Sequence, residues 1–366
     1  MNSASFHFFC FISRKTIMLT GAMVIALAII FPEFATAQGT RQPRLIRDGE
    51  TEHIIRTMAS PLFSAAGLDP ASVQIILVED NTLNAFVSGG MNIFIHTGLI
   101  TESESPEALI GVIAHETGHI QGGHLVRTRD AVNKANTIAT ITTILGTAAA
   151  IGSGRSDVAT ASMLGGQGIA TRNLLKFSRT QESAADYAAL RLLDATSTTA
   201  TGLENFLEKL KGQDLVSPRF QDPYMLTHPL TTERISAIKE HINTSPNSNA
   251  KVSPQTKDNY DRMVAKLFGY IHPFNQVLQR YPESDKSIPA RYARAIAHYR
   301  KANIDNVVSL MNGLIKEAPA NPYFYEMRGQ ALFENARALD ALPDYKKAYE
   351  LAPNDALLAL GLARVE

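Results

Sequence analysis

The segment His115-Glu116-Thr117-Gly118-His119 constrains this chain more than any other. It sits in a run, Pro106 to Val126, whose apolar residues Leu109, Ile110, Val112 and Ile113 recur at helical spacing. Ser105 reads as the N-cap, Pro106 as the first helical residue and Glu107 as a first-turn acid, so three start signals agree. On such a helix His115 and His119 are one turn apart and share a face, and both imidazoles can reach one ion. Glu116 is turned by about 100° from that face, which suits a base that holds a water beside a metal without ligating it. This is the physical content of H-E-x-x-H. Two helix histidines flanking an acid could instead be a solvated polar face, the lesser alternative, and the rest of the chain has to decide.

A zinc site of this kind needs a third protein donor and an open fourth position, where the ion lowers the pKa of a water to about 7. Thr171 to Leu193 is a second helical pattern and contains Gln181-Glu182-Ser183-Ala184-Ala185-Asp186. Glu182 and Asp186 lie four apart, on one face. Glu182 fits the carboxylate of a His₂Glu site. Asp186 then accepts the outer N–H of a ligating histidine and fixes its tautomer. With Arg179 and Arg191 nearby, the pair also reads as an ordinary solvated face. His124 competes as a donor, but a metzincin would place its last histidine at position 125, which is Leu125. Five residues past His119, His124 turns about 140° off the ligand face and is structural or at the rim.

The 366 residues suggest two or three domains. Lys+Arg 35 against Asp+Glu 35 leave a formal charge of zero, so no polyanion, nucleic acid included, or anionic surface is implied as partner. The one cysteine, Cys10, excludes a disulfide framework and any cysteine-based zinc site in the body of the chain. Arg14 and Lys15 precede the apolar run Thr16 to Phe31, and Ala35-Thr36-Ala37 follows, the layout of a secretory signal peptide over 1–37. Cleavage would start the mature chain at Gln38; an uncleaved anchor is the alternative. Export to a bacterial periplasm follows from the first.

Glu50 to Ala66 reads as a helix closed by Gly67, and Val73 to Val78 as a strand. Asn84 to Ser88 and Asn92 to Thr97 flank Gly89-Gly90, a hairpin signal. An exposed strand edge just before the metal helix can hold an extended peptide by main-chain hydrogen bonds. Asn84, Ala85 and Phe86 are the candidates for that edge, plain sheet packing being the alternative. Ala131 to Gly154 is Ala/Thr/Ile-rich, and its uncharged part, Ala135 to Gly154, is too dilute for a membrane span. It reads as a helical lid or a membrane-surface element, with Gly146, Gly152, Gly154, Gly165, Gly166 and Gly168 as breaks.

The segments His115 to His119, Arg179 to Asp186, and Thr227-His228-Pro229 followed by Arg234-Ile235 together resemble the zinc endopeptidase family of the CAAX prenyl proteases and the HtpX-type heat-shock proteases. Order and spacing match, as does the strand pair before the metal helix. The resemblance implies that His115, His119 and Glu182 ligate one zinc ion and that Glu116 is the general base. It also places His228 and Arg234 at the active site. A neutral His228 fills the open zinc position, or a protonated one stabilises the oxyanion, or it is merely a histidine in a proline turn. The chain has no spanning helices after its leader and so is similar to the soluble, exported BepA-like branch of the family.

Asn243 to Thr256 is a Ser/Asn/Pro linker. Beyond it Ala318-Pro319 and Ala352-Pro353 are 34 apart, and at the same offset Arg294 matches Arg328, Ala297 matches Ala331 and Tyr299 matches Phe333. That is the tetratricopeptide period, with a degenerate repeat before Pro289. The expected architecture is mainly α (α+β). A signal peptide (1–37) is followed by a zincin-like metallopeptidase domain with a small β-hairpin or sheet (38–242), the linker (243–256), and an α-solenoid of tetratricopeptide-like repeats (257–366). The expected function is an exported zinc endopeptidase of envelope proteins. The alternative is a periplasmic chaperone or assembly factor working through its repeats. The resemblance implies unfolded or misassembled outer-membrane proteins as clients and outer-membrane assembly machinery as a partner of the repeats. Peripheral membrane contact would run through 135–154.

Overall fold

A computed structural model describes residues 44–153, 156–211 and 223–366; the leader assigned to 1–37 lies outside them. After a two-residue strand β1 (Leu45–Ile46), helix α1 (Gly49–Ala65) starts on an Asp48 cap whose carboxylate accepts the Thr51 N–H. It ends at Gly67, whose φ of +74° only glycine takes up easily. Strands β2 (Gln74–Val78), β3 (Ala85–Ser88) and β4 (Asn92–His96) complete a four-stranded sheet of order β1-β2-β4-β3. β3 and β4 pair antiparallel across the Gly89-Gly90 turn, with Ala85 opposite Ile95 and Ser88 opposite Asn92. β3 is therefore an edge strand.

A short helix α2 (Thr97–Glu102) leads to α3 (Pro106–Gln121), capped by the Ser105 hydroxyl accepting the Ala108 N–H. α3 is the axis of the main core: Leu109, Val112, Ile113 and Ala114 are buried against α1, the sheet and later helices. It stops at Gly122-Gly123, the latter at φ +61°, and α4 (His124–Ser153) starts afresh. The single helix expected over Pro106 to Val126 is thus two, because two adjacent glycines allow a left-handed turn at no steric cost.

α4 and α5 (Ser156–Ala195) form a long helical hairpin. Of the glycines expected to break it, Gly146 and Gly166 instead let its arms touch, since a Cβ on Gly146 would collide with Ser162 and one on Gly166 with Thr142, while Gly154 lies outside the described residues. No helix among the described residues is long and apolar enough to cross a membrane. α6 (Thr201–Leu210), α7 (Pro223–Thr227) and α8 (Thr232–Thr244) follow.

The Ser/Asn/Pro stretch at 243–256 is fastened down. Ser245 and Asn247 donate to Asp194, Thr199 donates to the Ser248 carbonyl, and the Val252 N–H donates to Glu107. Helices α9 (Pro254–Ile271), α10 (Phe274–Arg280), α11 (Ile288–Tyr299), α12 (Ile304–Glu317), α13 (Pro322–Glu334), α14 (Ala338–Leu351) and α15 (Ala356–Val365) make up the rest. The α11/α12 pair repeats as α13/α14, and Ala302 and Ala336 take the same positive φ at the same place in each. α9 buries Tyr260, Met263, Val264 and Leu267 in the main core. Arg44 to Glu366 form one compact, mainly α unit with a small sheet.

Candidate metal centre and active-site cleft

His115 and His119 emerge from the same side of α3 as the spacing requires, with Nε2 atoms 3.1 Å apart. Glu182 arrives from α5, its carboxylate oxygens 3.3 Å from His115 Nε2 and 3.3 Å from His119 Nε2. That approach depends on Gly118: a Cβ there would stand 2.7 Å from the Ala185 carbonyl oxygen and force the helices apart. His228, just after α7, completes the group with Nδ1 3.2 Å from Glu182. One donor atom from each of His115, His119, Glu182 and His228 lies within 4.8 Å of all the others.

The surroundings hold these donors in place. Asp186 Oδ1 is 2.8 Å from His115 Nδ1, which turns the Nε2 lone pair inward. Arg234, from α8, donates through Nε and Nη2 to both oxygens of Asp186 at 2.6 and 2.8 Å, and its Nη1 is 2.9 Å from Glu182. Both Glu182 and Arg234 are 3% exposed, so this guanidinium offsets a buried double negative charge. Glu116 is fully buried one residue along from His115, and His228 Nε2 is 3.4 Å from its Oε1.

His124 is the residue that helical extrapolation misplaces. Because α3 breaks, its ring swings back and its Nδ1 lies 2.9 Å from His119 Nδ1. A Cβ on Gly122 would collide with this imidazole, so the glycine makes the seat. The sequence signal was the Gly-Gly pair itself, which ends a helix more readily than it continues one.

Ionisation follows from burial and neighbours. Burial opposes charge on Glu182, yet hydrogen bonds to His115, His119 and His228 hold its carboxyl far below the usual range. Asp186 resists burial through Arg234 and sits at about 2. For His115 the Asp186 and Glu182 carboxylates outweigh burial and raise it to about 10, whereas burial drives His119 down to about 3. Burial raises Glu116 against the pull of His228 and His115, the direction a proton acceptor needs.

A cleft of about 590 Å³ opens beside the cluster. Phe86, Val87 and Ser88 of β3 form one wall, and Leu125, Leu174 and Leu175 of the α4/α5 hairpin another. Of the expected edge residues, Asn84 is buried and its carbonyl is taken by the His96 N–H within the sheet. The main-chain groups facing the cleft belong to Ala85, whose carbonyl is 3.2 Å from His228 Nε2, and Val87, whose amide helps to hold the Glu116 charge. Phe86 contributes its ring.

Residues 46–242 match the model of Peptidase family M48. The chain belongs to that family. The M48 chain is 23% identical over 354 residues to a β-barrel assembly-enhancing protease of Yersinia pestis, covering 90% of this chain and 68% of the relative. To the Escherichia coli K12 protein of that name it is 23% identical over 325 residues (87% and 65%). To the mitochondrial metalloendopeptidase OMA1 of Schizosaccharomyces pombe it is 27% identical over 202 residues (54% of each). It spans about two thirds of the length of the bacterial relatives. The M48 chain is a metalloendopeptidase with one zinc ion as cofactor.

The donor set fits that ion. With zinc–ligand bonds of about 2.05 Å, the edges of a tetrahedron are about 3.3 Å. Four contacts in the cluster measure 3.1, 3.3, 3.3 and 3.2 Å, those to Glu182 shared between its two oxygens, and one donor atom from each of the four residues lies within 4.8 Å of the rest. Two imidazoles and a buried carboxylate kept ionised are the donors zinc takes in hydrolytic sites.

Proposed function

We propose that the chain is an exported endopeptidase in which His115, His119 and Glu182 hold the zinc and Glu116 is the general base. What carries this reading is the convergence of Glu182, from a separate helix, on the two histidines with Glu116 beside them. The bound ion supplies Lewis-acid activation of water and of the scissile carbonyl. The chain's own residues do the rest. Ala85 and Val87 pair with an extended peptide along the β3 edge. Glu116 accepts the proton of the attacking water and passes it to the leaving amine. A neutral His228 would complete the donor set through Nδ1, whereas a protonated one would donate to the developing oxyanion. Asp186 and Arg234 keep His115 and Glu182 oriented.

Glu116→Gln is expected to keep one zinc per chain and to lose about 10²- to 10⁴-fold in peptide hydrolysis. Glu182→Ala is expected to lose the metal itself. Full activity in the first variant, or full zinc content in the second, would falsify the assignment.

The substrates we infer are unfolded or misassembled outer-membrane β-barrel proteins, in the periplasm, after export on residues 1–37. The names of the bacterial relatives and the apolar wall of the cleft support this. The tetratricopeptide-like helices of 257–366 would dock assembly machinery, and 135–154 would touch a membrane surface. The equivalent α11/α12 and α13/α14 pairs favour a second reading, partner binding without cleavage. Relief of envelope stress by Glu116→Gln as fully as by the unaltered chain would select that reading.

A further inference from the structure

The α4/α5 hairpin has a charge pattern that the zinc chemistry does not use. From Ala135 to Thr171 the only charged residues are Arg155 and Asp157, opposite in sign. Along this part of the two arms Ile138, Ile141, Ile144, Leu145, Leu164 and Ile169 are exposed, by 37% to 64%. Close contacts between the arms run through Gly146, against Ser162, and Gly166, against Thr142. The 19 helical residues from Ala135 to Ser153 extend about 28 Å and the 16 from Ser156 to Thr171 about 24 Å. Six large aliphatic side chains on so short an arm form the kind of apolar surface that marks an interaction site.

The base of the same hairpin is charged, and almost entirely in one sense. Arg127, Arg129 and Lys134 on α4 and Arg172, Lys176 and Arg179 on α5 are all exposed. Asp130 stands among them and Glu233 beside Arg179. The chain's zero net charge therefore hides a basic collar at the foot of an uncharged apolar arm. That order complements an anionic bilayer, with phosphate headgroups meeting the collar and the acyl boundary meeting the arm. Neither arm is apolar enough to span, so contact is shallow, in the manner of interfacial helices.

We propose that the α4/α5 hairpin docks this protein on an anionic lipid surface. The collar residues flank the helical stretch that supplies Thr128, Val132, Thr171 and Leu174 to the cleft wall, so docking holds the cleft at headgroup level. Segments of chain emerging at a membrane then reach the β3 edge without crossing bulk solvent. This inference specifies the membrane contact proposed above and is independent of the ligand assignment.

The test is flotation of the zinc-loaded chain from Gln38 on, which contains the whole compact unit. The probes are vesicles of phosphatidylethanolamine and phosphatidylglycerol (about 3:1) and vesicles of phosphatidylcholine alone. Binding to the anionic vesicles is expected, weakened by salt and at least about tenfold stronger than to the neutral ones. Replacing Arg172, Lys176 and Arg179 together by Gln is expected to weaken it about a hundredfold, at about fivefold for each of the three charges near the surface. Ile144→Asp with Leu145→Asp is expected to abolish it. Both variants should cleave a short soluble peptide at the unaltered rate, which separates loss of docking from loss of fold or chemistry. Absence of binding to the anionic vesicles, or equal binding to both kinds, overturns the proposal. So does binding that survives the Ile144 and Leu145 changes, or slower cleavage of a protein substrate in the tip variant when no lipid is present, which would make the arm a protein-docking element.

Discussion

A single imidazole, His124, shows how a metal ligand's orientation is set by a neighbour outside the ligand set. Its Nδ1 accepts from, or donates to, His119 Nδ1 at 2.9 Å, and either way His119 keeps Nε2 turned to the cluster. Removing such a partner typically weakens metal binding by about 10- to 100-fold. His124→Ala should do so, and Gly122→Ala should match it, because the added methyl expels the same ring. The double variant should be no worse than either alone, since both remove one interaction. Zinc dissociation constants from chelator competition read this directly; additive losses would show that Gly122 acts elsewhere. The histidine pair and Glu116 were legible from spacing alone, and so was Glu182 as a same-face carboxylate with Asp186. Its distance from His115 was not, because residues 67 positions apart meet only through the packing of α5 on Gly118.

Among elements, β3 and the α3/α4 junction carry the site. β3 was expected as a candidate edge from the Gly-Gly hairpin, and it is one. Which of its residues face outward is a matter of register: Asn84 pairs inward, leaving the Ala85 carbonyl and the Val87 amide on the cleft side. Val87→Pro removes that amide without touching a ladder hydrogen bond. Losing one substrate hydrogen bond of about 1.5 kcal/mol should raise KM about tenfold with zinc content little changed, while kcat also falls because Glu116 loses the Val87 N–H that helps to hold its charge. An unaltered KM would mean that peptides do not bind along this edge. The junction was misread because apolar periodicity continues through Ile120 and Leu125 although the backbone turns between them. Local pattern reports amphipathicity and says little about a break made by two glycines.

For the whole molecule the decisive feature is α9, which belongs to the helical tail by sequence and to the peptidase core by packing. Beside its apolar contacts it brings Lys266 to within 2.6 Å of Asp48 and 3.4 Å of Glu50, with Arg262 and the Tyr292 hydroxyl also on Glu50. Glu50 is fully buried and Lys266 is 3% exposed, so breaking the group strands charge in the interior. Lys266→Met should cost about 3–5 kcal/mol in urea unfolding, as one transition shared by both ends of the chain. Two separated transitions would show the ends to be independent. Near this group, burial, with Asp48, Glu50 and Asp355 adding to it, pushes Glu326 up to about 7. An acid that keeps its proton in the fold after the unfolded chain has lost it favours the fold at low pH. That contribution is complete below about 4.5 and is lost as pH rises through about 7. Glu326→Gln should flatten the fall in stability across that window; an unchanged pH profile would rule this group out as its source.

The sequence by itself determined the helix that carries His115 and His119, the carboxylate of Glu116 beside them, the hairpin before it and the 34-residue period of the tail. Each is written in spacings of a few residues or in one repeated interval. Only the tertiary structure decided that Glu182 and His228 meet the histidines, that His124 folds back onto His119, and that the tail's first helix completes the peptidase core. Those contacts join residues far apart in the chain. They depend on which glycines let two backbones touch, a property of packed surfaces that no local periodicity records.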